Sequence, residues 1–278
     1  MQNTSPISRM WSRRFWLARL VVPLALLVAV GACSGDDKQY VERPVEDLYN
    51  EAQNLLDQQD YKAAAEAFDE VERQHPYSPW AVKAQLMSAY SYYQDNAYDE
   101  AVIGLDRFIQ LHPSNRDVPY AHYLKALSYY EQISDIGRDQ KMTRLALDSF
   151  KELIIRYPAS KYARDAQLKL DLAFDHLAGK EMEIGRYYLR HGHYLAAINR
   201  FRNVVEHFQT TTHVPEALHR LTEAYMALGV VGEAKKAAAV LGHNFPGSEW
   251  YIDSYEIVED KDFRASQPKP SKPWYWPF

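Results

Sequence analysis

One pattern returns five times along this chain, and it limits the fold more than any other feature. The first copy is Tyr61, Ala64, Phe68, Val71 and Pro76, and the same offsets return at Tyr98, Ala101, Leu105, Phe108 and Pro113. A third copy runs Thr143, Ala146, Phe150, Leu153, Pro158. A fourth runs Tyr194, Ala197, Phe201, Val204, with Gln209 in the proline's place, and a fifth runs Val231, Ala234, Ala238, Leu241, Pro246. Steps of three, four and three residues put the first four members on one stripe of a helix, and the residue five further on closes it.

A second helical stretch precedes each copy, with a small residue at its point of closest approach: Ala52, Ala89, Ala126 and, in the fourth, Gly185. Together with Ala64, Ala101, Ala146, Ala197 and Ala234, these small residues let neighbouring axes come within about 8–10 Å. Phe68, Phe150 and Phe201 fill the adjoining space and belong to the core. The expected fold class is all-α, a tetratricopeptide-repeat superhelix (α-solenoid) of about five repeats.

Helices are expected at about 46–58, 61–75, 78–94, 98–111, 118–132, 140–156, 161–177, 180–191, 194–208, 214–228 and 231–244, with a short cap near 249–258. The intervals Pro76 to Pro113 and Gln209 to Pro246 are both 37 residues, against a tetratricopeptide period of about 34. Pro113 to Pro158 is 45 residues, with the excess in Glu131 to Gln140, and Pro158 to Gln209 is 51. That last interval has room for an additional helix, to which Ala166, Leu168, Leu172, Ala173 and Leu177 give an apolar stripe. The middle of the stack is therefore irregular.

The first residues carry Arg9, Arg13, Arg14 and Arg19 without an acid, then an apolar run from Leu20 to Val30. Such a run is short for a membrane span but suits an export signal. Val30-Gly31-Ala32-Cys33 resembles the lipobox of bacterial lipoproteins, which implies cleavage before Cys33 and acylation of that cysteine. Several acyl chains give a durable anchor where one gives marginal binding. Ser34 in place of an aspartate implies, by the same resemblance, the inner leaflet of the outer membrane. Ser12-Arg13-Arg14 leaves the export route open.

The segments expected are a lipoprotein signal peptide over 1–32, an acylated N-terminus and tether over 33–46, N-terminal repeats over 47–158, C-terminal repeats over 159–260, and a Pro/aromatic tail over 261–278. The tail holds Trp274, Tyr275, Trp276 and Phe278 among four prolines, and three fates are open to it: docking on a partner, packing back on the last repeat, or staying loose.

The chain has 32 basic and 37 acidic residues. Removal of the four leader arginines leaves 28 against 37, a balance that argues against generic nucleic-acid binding. Cys33 is the single cysteine, so no disulfide is available within the mature chain. His75 and His112 precede closing prolines, and His191 and His193 flank Gly192 without a third ligand in view. No metal or cofactor site follows from such spacing, and no catalytic motif is present. The expected role is non-enzymatic.

Two faces are candidates for binding. In the first helices, Tyr49, Gln53, Leu86, Tyr90, Tyr93, Tyr120, Tyr123 and Tyr130 fall off the packing stripe and are assigned to a substrate groove. Tyrosine offers apolar area with a hydroxyl, which suits exposed peptide segments. The plainer alternative is that many of them pack between helices. Around the fourth repeat, Arg186, Arg190, Arg200 and Arg202 are assigned to partner binding, with bidentate pairing to carboxylates as the physical rationale. An ordinary solvated helix face is the alternative.

Longer strings carry a resemblance. They include Phe68-Asp69-Glu70-Val71-Glu72-Arg73-Gln74-His75-Pro76-Tyr77-Ser78, Arg156-Tyr157-Pro158-Ala159-Ser160-Lys161-Tyr162-Ala163 and Glu183-Ile184-Gly185-Arg186-Tyr187-Tyr188. With the lipobox, these resemble the BamD (ComL) family of tetratricopeptide lipoproteins of the outer-membrane β-barrel assembly machinery. The resemblance implies contact with a BamA-like barrel-inserting subunit, with unfolded outer-membrane proteins, and in some lineages with BamC-like and BamE-like lipoproteins. It further implies that Arg200 lies at the BamA contact. The rival reading is a lipoprotein scaffold for other cell-envelope or peptidoglycan machinery.

Overall fold

Paired helices follow one another without a strand among the described residues, 42–259, of the computed structural model. The helices are α1 (Val45–Asp57), α2 (Tyr61–Gln74), α3 (Pro79–Gln94), α4 (Tyr98–Leu111), α5 (Val118–Tyr130), α6 (Lys141–Arg156), α7 (Ala163–Arg190), α8 (Tyr194–His207), α9 (Val214–Ala227), α10 (Val231–Asn244) and α11 (Glu249–Glu259). Each packs on its predecessor and successor, which makes five pairs followed by the single helix α11.

The core follows the repeated stripe. Ala64, Ala101, Ala146, Ala197 and Ala234 are fully buried, and so are Phe68, Leu105, Phe150 and Phe201. Gly185 is needed where it is. A Cβ there would lie 2.5 Å from Cε1 of Phe201, so α7 and α8 could not keep their separation with any larger residue.

Two turns are copied along the stack. Between the first and second helix of a pair, Gln59, Asn96, Gly192 and Gly229 have φ of 63°, 60°, 74° and 76°. The amides around each bond back to the helix just ended, as in Gln59 N–H to Leu56 O and Asp60 N–H to Leu55 O, a Schellman closure. Between pairs, His75, His112, Tyr157, Phe208 and Phe245 cap the second helix with φ between −126° and −135°. In each case the amide three residues on bonds to the capping residue's carbonyl, as Ser78 does to His75 at 3.0 Å. Gln209 follows Phe208 in the same turn as the four prolines, so the turn does not depend on proline.

The middle departs from the expectation in one respect. A break near 177–180 was expected, but α7 is one helix of 28 residues that runs through Gly179. Glycine within a helix costs about 1 kcal/mol relative to alanine, and packing overrides this here. Ala178, Gly179 and Met182 are buried. A Cβ on Gly179 would meet His213 at 3.3 Å and Ile136 at 3.7 Å. The excess residues of the third repeat cover those additional turns. His176 Nε2 hydrogen-bonds the Ser134 carbonyl at 2.9 Å, and Lys180 Nζ donates to the Gly137 carbonyl at 2.9 Å. The two insertions noticed as separate irregularities thus pack on one another.

Candidate functional site

The first-helix tyrosines are distributed by register. Three residues before the small position stand Tyr49, Leu86 and Tyr123, and this register turns inward in the first two repeats. Tyr49 is 4% exposed, between the rings of Phe68 at 5.3 Å and Trp80 at 4.8 Å, and Leu86 is 8% exposed. Both are core residues and do not line an open face. Trp80 at the start of α3 folds over Tyr49, a contact between repeats that spacing within one repeat does not reveal.

The other tyrosines gather half-buried on the joint face of α3, α5 and the start of α7. Tyr90 and Tyr93 come from α3, Tyr120, Tyr123 and Tyr130 from α5. Tyr162, which precedes α7 and was not singled out, stacks on Tyr123 at 5.1 Å with 21° between the planes, and lies 5.4 Å from Tyr120. The Tyr123 hydroxyl donates to Asp165 Oδ2. Tyr130 packs edge-on to Phe150 at 6.0 Å, and Gln94 Nε2 donates to the Tyr90 hydroxyl at 2.5 Å. Gln53, further along, donates to Asp57 at 2.9 Å.

Burial raises the Tyr93 phenol to about 12, helped by nearby Glu131. Burial also pushes Tyr120 upward, and Tyr123 rises from burial and its bond to Asp165. Tyr93, Tyr120 and Tyr123 therefore hold their protons tightly, and the cluster as a whole is apolar by ring face and hydrogen-bonding by hydroxyl edge.

The arginines of the second half largely have carboxylates already. Arg186 Nη1 lies 2.9 Å from Glu216 Oε2, which joins α7 to α9. Arg200 Nη1 lies 3.1 Å from Glu181 Oε2, which joins α8 to α7, and Arg202 pairs with Glu206 at 2.7 Å within α8. Arg190 is exposed at the end of α7. Arg200 and Arg202 share a cleft of about 510 Å³ with Glu181, Tyr188, Asn199 and Glu206. Three of the four arginines assigned to partner binding thus present a carboxylate beside each guanidinium, a mixed polar surface.

A second cleft, of about 630 Å³ between α2, α3 and α4, was not foreseen. Its wall is a polar network. Ser88 and Tyr92 both donate to Asp69, at 2.5 and 2.9 Å, and Gln85 donates to Glu72 at 2.6 Å. Its residues come from three helices, so that spacing within any one of them does not reveal it.

No group of three or more metal-binding side chains gathers among the described residues. Among those residues no helix is long and apolar enough to cross a membrane. Cys33, the signal segment over 1–32 and the tail over 261–278 lie outside the described residues.

A lengthy polar and aromatic face on paired helices is common to many repeat proteins, and comparison with known proteins decides which. Residues 41–241 match the family described as YfiO, outer membrane lipoprotein. The chain belongs to the BamD family. An outer membrane protein assembly factor BamD from Caulobacter vibrioides is 50% identical over 87% of this chain and 81% of its own length. The BamD of Rickettsia prowazekii is also 50% identical, over 87% of this chain and 96% of its own. That of Neisseria meningitidis serogroup A is 34% identical over 86% and 96% respectively. Members of the BamD family are outer membrane protein assembly factors, and this chain is one of them.

Proposed function

We propose that the protein acts without catalysis, as a clamp within the β-barrel assembly machinery. Its phenol face over α3, α5 and α7 receives unfolded outer-membrane protein segments, and its α7–α8 face holds a BamA-like barrel-inserting subunit. BamC-like and BamE-like lipoproteins are further partners. Acylated Cys33 tethers it to the inner leaflet of the outer membrane.

The observation that carries the substrate reading is the grouping of Tyr90, Tyr93, Tyr120, Tyr123 and Tyr162 on one half-buried face. Barrel strands alternate apolar and polar side chains and carry aromatic residues near their ends, and such a segment finds ring faces and hydroxyl edges together there. On the other half, Arg200 and Glu181 offer a donor and an acceptor side by side, which favours a polar partner surface of fixed orientation.

The test uses two variants checked for helical content by circular dichroism. Tyr90→Ala with Tyr123→Ala is expected to weaken capture of unfolded barrel protein by about tenfold, a loss of about 1.4 kcal/mol. The BamA-like subunit should still co-purify with it. Arg200→Glu, which also sets two carboxylates against each other at Glu181, should do the reverse. Equal loss of both partners in either variant would remove the division of labour.

A further inference from the structure

Each of the five second helices packs against the first helix of its own pair and that of the next. The last first-type helix, α11, has α9 and α10 on one side and no described helix on the other. Tyr251 is pressed against α10, where a Cβ on Gly242 would lie 2.4 Å from Tyr251 Cε2. Ser254, fully buried, hydrogen-bonds His219 Nδ1 at 2.9 Å.

On the opposite side Ile252 is 57% exposed and Tyr255 55%. Tyr255 stands nine residues after its turn residue Pro246, as Leu218 does after Gln209, and Leu218 is only 3% exposed. The same register position is thus core in one repeat and bare in the next.

The bare face is also acidic, because α11 carries Glu249, Asp253, Glu256 and Glu259 and no base. The residues that follow have the complementary chemistry. Lys261, Arg264, Lys269 and Lys272 face a single acid after Asp260, Asp262, and the run ends in Trp274, Tyr275, Trp276 and Phe278. Residues 260–278 can extend for about 60 Å, whereas α11 is about 16 Å long.

We propose that residues 261–278 fold back on the outer face of α11 and close the stack. The lysines and Arg264 meet the acids of α11, and the aromatic residues cover Ile252 and Tyr255. An extended proline-rich segment suits this place, since it covers an apolar face without creating another that needs covering.

The intact acylated chain, in its own cell envelope, is the object to test, with the photoreactive residue p-benzoylphenylalanine in place of Ile252. Irradiation is expected to give an adduct within one chain, mapped to 266–278 by mass spectrometry. An adduct joining two copies, an adduct to lipid or another protein, or no adduct within the chain overturns the proposal.

A second measurement does not depend on the photoreactive residue. Hydrogen exchange of the amides from Tyr251 to Glu259 should quicken by about tenfold when the chain is ended at Asp260, with exchange in α1–α6 unchanged. Reversing all four charges, Lys261, Arg264, Lys269 and Lys272 to Glu, should produce the same acceleration. Unaltered exchange in α11 in both variants overturns the proposal.

Discussion

The two halves of the stack use one architecture but different chemistry to hold their first helices together. From α3 to the start of α7 the links are rings and phenol hydroxyls: Tyr120 and Tyr123 against Tyr162, and Tyr123 on Asp165. From α7 to α9 the link is ionic: Arg186 on Glu216, whose carboxylate is shared at 3.4 Å with Arg220 of α9, itself paired with Glu223 at 2.7 Å. Arg220 in turn lies over the Trp250 ring at 5.3 Å, which extends the network to α11. The difference shows that the small-residue seam fixes the helix pairing, and leaves the face beyond it free to specialise.

The largest effect expected from breaking this contrast is in the ionic half. Glu216 is 16% exposed at its side chain and accepts from both Arg186 and Arg220. Glu216→Gln leaves two guanidinium groups with diminished partners in a partly buried setting, at a cost of about 1.5–3 kcal/mol. Urea unfolding should report this as a lower midpoint with an unchanged slope. The loss should shrink in high salt, because screening already weakens the wild-type pairs.

The phenol half should respond to alkali instead. Tyr93 has its folded value raised to about 12 by burial and Glu131, and Tyr92 likewise by burial and its bond to Asp69. A group with a raised folded value binds its proton more tightly when folded, so its contribution is complete below about pH 10 and is lost as the pH climbs through 12. Protection against hydrogen exchange, taken relative to the base-catalysed intrinsic rate, should therefore fall in α3 and α5 over that window before it does in α9. Simultaneous loss of protection would mean that the halves unfold as one unit. Tyr123→Phe keeps the ring stack but deletes the hydroxyl to Asp165, and about 1 kcal/mol of stability should go with it.

The helical pairing was legible because it is local. Stripe, small seam and closing turn all repeat within one repeat length, and Gly185 could be assigned from its place in that series before its contact with Phe201 was known. What stayed hidden was contact between repeats. Tyr49 looked like a face residue because Trp80, which covers it, lies in the next repeat. Gly179 looked like a break because the loop that packs on α7, around Ser134 and Ile136, is more than 40 residues away in sequence. The carboxylates beside Arg186 and Arg200 stayed hidden for the same reason, since Glu216 and Glu181 belong to other helices.

The smallest effect concerns the turns that both halves share. Phe208 has φ −126° and ψ 42°, close to His75 at −132° and 58° and Tyr157 at −132° and 55°, yet only Phe208 precedes a non-proline residue. The Gln209 side chain reaches the Glu206 carbonyl only at 3.5 Å, a weak bond to lose. Proline placed where the backbone already has the shape that proline adopts elsewhere stabilises by restricting the unfolded chain, by about 0.4–1 kcal/mol. Gln209→Pro should therefore raise the thermal midpoint slightly while leaving the Arg186–Glu216 network and partner binding as they are. A fall in the midpoint would show that the fourth turn differs from the others at Gln209 itself, and that the ionic half departs from the phenol half in backbone as well as in side chains.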